Sequence, residues 1–174
     1  MEKNWVALSG PRGCGKSTIA QQLVEHHGFE RFAFSDILRE IAKLAGAQFV
    51  NNRVYLLQMG EVLRKYQPDF MIKVMEYKLS KSTSNIVIED IRFEAELEFC
   101  KLQKIRTIYL DLPREKQIKR ILKRENCTLE EAENLIDSPD ENHLNRNSGW
   151  DEIIYSSGDF RDLTKAIDKR NFGK

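Results

Sequence analysis

One nine-residue segment near the start of the chain constrains its fold more than any other feature. Residues 10–18 read GPRGCGKST and match the phosphate-binding pattern G-x-x-x-x-G-K-[ST] at every position. The segment follows a short apolar strand, predicted at residues 5–8, and opens an amphipathic helix, predicted at residues 16–27. In this context, backbone N–H groups and a helix N-terminus converge on a phosphate. We call residues 10–18 the P-loop and predict that they bind a nucleotide.

The side chains of the P-loop have separate predicted tasks. Lys16 is expected to reach the β- and γ-phosphates, and the Ser17 hydroxyl is expected to bind Mg²⁺. The other expected nucleotide contacts of the loop are Gly10, Arg12, Gly13, Cys14, Gly15 and Thr18. Because Cys14 lies close to a helix N-terminus, we predict a lowered thiol pKa and a reactive thiol that bound nucleotide protects.

A second acidic position is expected at the end of a neighbouring strand. Residues 85–90, NIVIED, have the continuous apolar character of a buried parallel strand and end in two acids. Asp90 is the predicted partner of the Mg²⁺ shell, and Glu89 remains an alternative for the same task.

Runs typical of strands and helices alternate along the chain. Strands are predicted at residues 5–8, 31–34, 85–90, 105–112 and 152–155. Helices are predicted at residues 16–27, 36–44, 52–65, 69–81, 94–102, 115–124, 129–136 and 160–170. Ser35 is the expected cap of the second helix, and Thr128 with Glu131 that of the seventh. This alternation predicts an α/β fold in three layers, with a five-stranded parallel sheet and helices on both faces.

Composition excludes several classes of function. The 174 residues carry 28 lysines and arginines against 27 aspartates and glutamates, a net charge of +1, which disfavours a nucleic-acid-binding protein. No apolar run is long enough to span a membrane, and three widely spaced cysteines favour a reducing, cytoplasmic location.

No Asp has a Gly three residues later, which disfavours a signalling GTPase, and an AAA-type machine would be larger.

Four further segments, in order, resemble P-loop nucleoside and deoxynucleoside monophosphate kinases. Residues 35–39, SDILR, resemble the G-D-x-L-R segment of adenylate kinases, with Ser35 in place of Gly. Residues 88–96, IEDIRFEAE, resemble the D-x-R-F-x-x-E segment of phage-type deoxynucleoside monophosphate kinases. Arg120 and Arg124 resemble the arginine pair in the lid of these kinases. Residues 150–163 resemble an ending that they share with dephospho-CoA kinases, with Ser156 where Asn is usual.

The resemblance implies one kinase domain over residues 1–174. Its core would be residues 1–34, 82–119 and 151–174, with acceptor-binding helices at residues 35–81 and a short helical lid at residues 120–150. The implied reaction is phosphoryl transfer from ATP, with Mg²⁺, to a nucleoside or deoxynucleoside monophosphate. Two alternatives stay open: a dephospho-CoA kinase, because residues 117–132 are close to its lid, and a non-catalytic nucleotide-binding regulator.

The resemblance also implies residue roles. Lys16, Asp36 and Arg124 would be catalytic, and Asp36, Arg39 and Arg92 would hold the acceptor. Arg120 and Gly158 would contact ATP at its base, whereas Ser17 and Asp90 would serve the metal. The implied partners are small nucleotides, not nucleic acid or membrane, and the implied state is a monomer or homodimer.

Overall fold

A computed structural model of the chain describes residues 4–46, 48, 50–138, 144–156, 164 and 167. Within them, five strands run over β1 (Trp5–Ser9), β2 (Phe29–Ala33), β3 (Asn85–Glu89), β4 (Arg106–Asp111) and β5 (Glu152–Tyr155). The helices run over α1 (Lys16–His27), α2 (Phe34–Leu44), α3 (Arg53–Tyr66), α4 (Phe70–Lys81), α5 (Glu94–Leu102), α6 (Arg114–Glu125) and α7 (Leu129–Ile136).

The strands form one sheet in the order β2-β3-β1-β4-β5. Strand β1 pairs in parallel with β3 and β4, so that Val6 lies opposite both Val87 and Arg106, and β4 pairs in parallel with β5. Because β1 is the middle strand, the loop that follows it leaves the centre of the sheet at the carboxyl edge, where parallel α/β sheets bind ligands. The predicted α/β fold with a five-stranded parallel sheet is confirmed.

The chain divides into two compact units, one of residues 1–31 and 84–174 and the other of residues 32–83. In the first unit, apolar side chains of the central strands pack with α1 in a fully buried core that includes Leu8, Ile19, Leu23, Ile108 and Leu110. In the second unit, helices α2, α3 and α4 pack on one another. The functional division into core, acceptor-binding helices and lid stays a prediction.

Helix α2 begins earlier than the sequence pattern predicts. Strand β2 ends at Ala33 and the helix starts at Phe34, whose side chain is buried, so Ser35 lies inside the first turn rather than at the cap. The Ser35 hydroxyl accepts a hydrogen bond from Arg39 instead. Burial of an aromatic side chain has outweighed the local preference of serine for a cap.

Other local predictions hold closely. Helix α1 has the predicted bounds, and Thr128 and Glu131 form the predicted reciprocal cap of α7. Apart from Thr164 and Ile167, the helix predicted at residues 160–170 lies outside the described residues, as does Gly158. Across the described parts of the chain, none of the helices combines the length and apolar character needed to cross a bilayer.

Candidate active site

The P-loop has a backbone path that its glycines make possible. Gly10 has φ 140°, and a Cβ there would lie 2.5 Å from the carbonyl oxygen of Leu110 in the neighbouring strand β4. Gly15 has φ 101° and caps α1 without a side chain, so the backbone at the helix N-terminus stays open to a ligand. The loop therefore presents N–H groups and the positive end of the α1 dipole on one side.

Lys16 is buried at the first position of α1. Its Nζ donates hydrogen bonds to the carbonyl oxygens of Gly10, at 2.6 Å, and Pro11, at 3.2 Å, and lies 3.5 Å from Oδ1 of Asp90. The ammonium group thus lies against the inner side of the P-loop, where a phosphate bound by the loop would meet it.

The two acids after β3 have different surroundings. Glu89 accepts a hydrogen bond from the Ser17 hydroxyl. Asp90 has φ 66°, an uncommon conformation for a residue with a side chain, and its carboxylate accepts from Arg92 Nε at 2.8 Å and lies beside Lys16. The structure therefore brings Glu89, and not Asp90, into contact with Ser17.

The charges around Asp90 decide its protonation. Burial would raise the pKa of its carboxyl group, but Lys16 and Arg92 outweigh burial and hold that pKa below its ordinary value. Asp90 is therefore ionised at neutral pH, and it orients two cations rather than carrying a proton.

Arg120 is tied to the P-loop by a network of hydrogen bonds. Its guanidinium donates to the carbonyl oxygen of Gly13 at 3.0 Å, to Oγ of Ser156 at 3.1 Å and to the carbonyl oxygen of Ser156 at 3.2 Å. The fully buried Ser156 hydroxyl donates in turn to the carbonyl oxygen of Cys14 at 2.5 Å. The end of β5 and helix α6 thus brace the P-loop together. The one signal in the sequence was the unusual serine at position 156.

Most of the predicted site residues of the first unit line one cavity of about 450 Å³, whereas Gly10 and Cys14 are outside its lining. Five of its lining side chains are basic and two are acidic, so it favours a polyanionic ligand. The cavity is lined by Arg12, Gly13, Gly15, Lys16, Ser17, Thr18, Glu89, Asp90, Arg92, Arg120 and Arg124. Asp36 and Arg39 belong to the second unit, where Arg39 Nη1 donates to Asp36 Oδ1 at 2.8 Å.

The lowered thiol pKa predicted for Cys14 is wrong. Its side chain is fully buried, and burial raises the pKa of the thiol despite the lowering charge of Lys16. Desolvation disfavours the thiolate, and its effect on the pKa is larger than the lowering effect expected from the helix N-terminus. The Cys14 side chain is packed inside the loop and is not among the side chains that line the cavity.

We expect iodoacetamide at pH 8 to modify Cys127 in the folded protein and to spare Cys14 and Cys100. Cys127 is partly exposed, whereas the other two thiols are buried and burial raises their pKa. As the pH rises past about 9, the unfolded chain ionises these two thiols more readily than the folded chain does. The free energy of unfolding therefore falls, and labelling of both thiols rises. Peptide mass spectrometry, with a urea-unfolded control in which all three react, measures this. Labelling of folded Cys14 at the rate of Cys127 would contradict it.

Comparison with known proteins agrees with this geometry. A family model described as "AAA domain" matches residues 6–138. The cytidylate kinase of Ignicoccus hospitalis is 29% identical over 129 residues, which cover 73% of this chain and 68% of that one. The adenylate kinase of Rickettsia africae is 32% identical over 130 residues, covering 70% of this chain and 58% of its own.

Among solved structures, the TT1252 protein of Thermus thermophilus shares the fold with a TM-score of 0.60, at 18% identity over 99% of this chain and 98% of that one. The sequence argument against an AAA-type machine concerned size. The family match concerns the domain, and the relatives that align over most of the same stretch are named as kinases. The chain belongs to the AAA-domain family of P-loop proteins, and its relatives place it with the nucleoside monophosphate kinases.

Proposed function

We propose that this phosphotransferase moves the γ-phosphoryl group of ATP to a nucleoside or deoxynucleoside monophosphate, forming ADP and the diphosphate. The observation that carries the proposal is the cavity above the P-loop, in which Lys16, Arg92 and Arg124 line a single space. Transfer between two polyanions needs cations on both, since their mutual repulsion and the charge of the transferring group must be offset.

On the donor side, the P-loop N–H groups and Lys16 would hold the β- and γ-phosphates. Lys16 Nζ now donates to loop carbonyls, and a phosphate oxygen offers it a stronger, charged acceptor at the same place. Hydrogen bonds to Gly13 and Ser156 fix the Arg120 guanidinium, which would stack on the base of ATP. Residues around Gly158 would complete the base-binding subsite.

Ser17 and Glu89 form the set that fits Mg²⁺. A hydroxyl and a carboxylate are the hard oxygen donors this ion prefers, and the two are already in contact at the cavity wall. It is Glu89, and not Asp90, the partner preferred from sequence, that contacts the Ser17 hydroxyl, so we assign the metal to Ser17 and Glu89. When bound, the ion would neutralise phosphate charge and orient the ATP phosphates for transfer.

On the acceptor side, Arg92 is the cation of the first unit that we assign to the acceptor phosphate. Asp90 holds its guanidinium through Nε and Nη2, so that it is oriented before a ligand arrives. Arg39 and Asp36 are proposed as further acceptor residues, with Asp36 as general base or orienting group, on the strength of the kinase resemblance.

All three cysteines are free thiols, in keeping with a cytoplasmic enzyme.

An acceptor panel tests the proposal. Purified protein with ATP·Mg²⁺ is given each common nucleoside and deoxynucleoside monophosphate and dephospho-CoA in turn, and ADP formation is followed with chromatographic identification of the product. We expect turnover with at least one monophosphate, with CMP and AMP as the first acceptors to assay given the relatives' names. Turnover with dephospho-CoA alone would replace the proposal by that activity. Tight ATP binding without any acceptor-dependent turnover would make the chain a regulator.

A further inference from the structure

Both oxygens of the Glu89 carboxylate are occupied in a defined way. Oε1 accepts a hydrogen bond from the Ser17 hydroxyl, and Oε2 accepts one from Nε of Arg31. Glu89 is buried, so few other groups compete for these oxygens. Arg31 lies 58 residues away in sequence, on strand β2, and belongs to no motif that the sequence analysis singled out.

Arg31 contacts Glu89 and lines a different cavity from that of the proposed ATP site. Ser17 and Glu89 line both the P-loop cavity and a second cavity of about 600 Å³. Arg31 lines the second cavity but not the P-loop cavity. The second cavity also holds Glu25 and Glu30, so its acids outnumber its one arginine and it does not favour a phosphate ligand. Arg31 is therefore placed to act on Glu89 rather than on the nucleotide.

The chemistry of the pair explains why an arginine is needed here. A buried carboxylate is costly unless it is paired and hydrogen-bonded, and the Ser17 hydroxyl carries no charge to offset it. A guanidinium supplies both the charge and an N–H in a fixed direction, which the flexible ammonium of lysine does not. With Oε2 held by Arg31, the carboxylate is oriented so that Oε1 is the oxygen turned to Ser17.

We propose that Arg31 is a positioning residue that holds Glu89 in the orientation needed for the Ser17–Glu89 magnesium site. The proposal rests on the proposed function, because it takes ATP·Mg²⁺ as the ligand. It predicts that Arg31 matters for nucleotide binding with the metal and not for nucleotide binding without it.

Titration of a fluorescent ATP analogue, in Mg²⁺ and separately in EDTA, tests this at equilibrium. We expect Arg31→Leu to weaken binding in Mg²⁺ by about tenfold or more and to leave binding in EDTA unchanged. Glu89→Gln should show the same selective loss, and the double variant should lose little beyond either single change, because Arg31 acts through Glu89. Arg31→Lys, which keeps the charge and guards against misfolding of the leucine variant, should show a smaller loss in Mg²⁺ alone.

The chain offers a matched control in Arg106, which pairs with Glu152 at 2.7 Å between the neighbouring strands β4 and β5, outside both cavities. Arg106→Leu should leave both titrations unchanged. If wild-type binding itself does not respond to Mg²⁺, the proposed function fails. If wild type responds and both Arg31 variants match it, or lose equally in EDTA, the positioning role alone is overturned.

Discussion

Replacing Lys16 by alanine is expected to lower turnover by about 10³-fold or more, the largest effect of any single change in the chain. The Lys16 ammonium donates to the carbonyl oxygens of Gly10 and Pro11, so a phosphate bound by the loop would meet it there. Its charge is needed most in the transition state, when the phosphoryl group is only loosely bonded to the donor and the acceptor oxygens. The loss should therefore appear chiefly in kcat.

The fold should survive the Lys16 change. Asp90 keeps its contacts with Arg92 when Lys16 is removed, so no buried carboxylate is left without a cation. Steady-state kinetics and far-UV circular dichroism on Lys16→Ala measure both points, with Lys101→Ala, an exposed lysine of α5, as the control. Turnover of Lys16→Ala close to that of the control would remove the P-loop from the catalytic site.

The parts of the structure that the sequence predicted are those whose cause is local. The P-loop pattern predicts its own backbone path, because glycine adopts the positive φ angles found at Gly10 and Gly15 without a steric penalty. Helix α1 ends where Gly28 takes a left-handed conformation, and α7 begins at the Thr128 cap. In each case neighbours within a few positions of the chain determine the result.

The parts that the sequence did not predict depend on what a residue meets across the fold. A helix N-terminus favours a reactive Cys14, yet burial in the core beneath the loop decides its pKa in the opposite direction. Strand β2 brings Arg31 to Glu89, and β5 brings Ser156 to Cys14, over separations of 58 and 142 residues. Local sequence patterns extend over a few turns of helix or strand at most, so they cannot predict either contact.

The assignment of the two acids shows how one backbone angle separates two tasks. Strand β3 ends at Glu89, so Asp90 is the first residue outside the strand and does not keep the extended backbone. The left-handed conformation of Asp90 then turns its carboxylate toward Lys16 and Arg92. A pattern that ends in two acids therefore does not say which one lies beside the hydroxyl.

Replacing Arg124 by alanine is expected to lower kcat by about 10²-fold and to leave the ATP Kd near its wild-type value. Arg124 lines the P-loop cavity one helical turn beyond Arg120 on the same face of α6. Arg120 is anchored by three hydrogen bonds, whereas the Arg124 side chain is 53% exposed and pairs with its neighbour Glu125 at 2.7 Å. Exposed ion pairs of this kind are weak, so the Arg124 guanidinium is free to turn toward charge that develops in the cavity.

Arg114 is the matched control for this change, because it lies on the same helix, pairs with Asp137 in two hydrogen bonds and lines neither cavity. Arg114→Ala should leave kcat and the ATP Kd unchanged. A contact made equally to bound ATP and to the transition state would weaken ATP binding and spare kcat, and that result for Arg124→Ala would make the residue a binding group. A loss confined to kcat would mean that Arg124 meets its charge only during transfer, as its loose pairing and its place at the cavity wall predict.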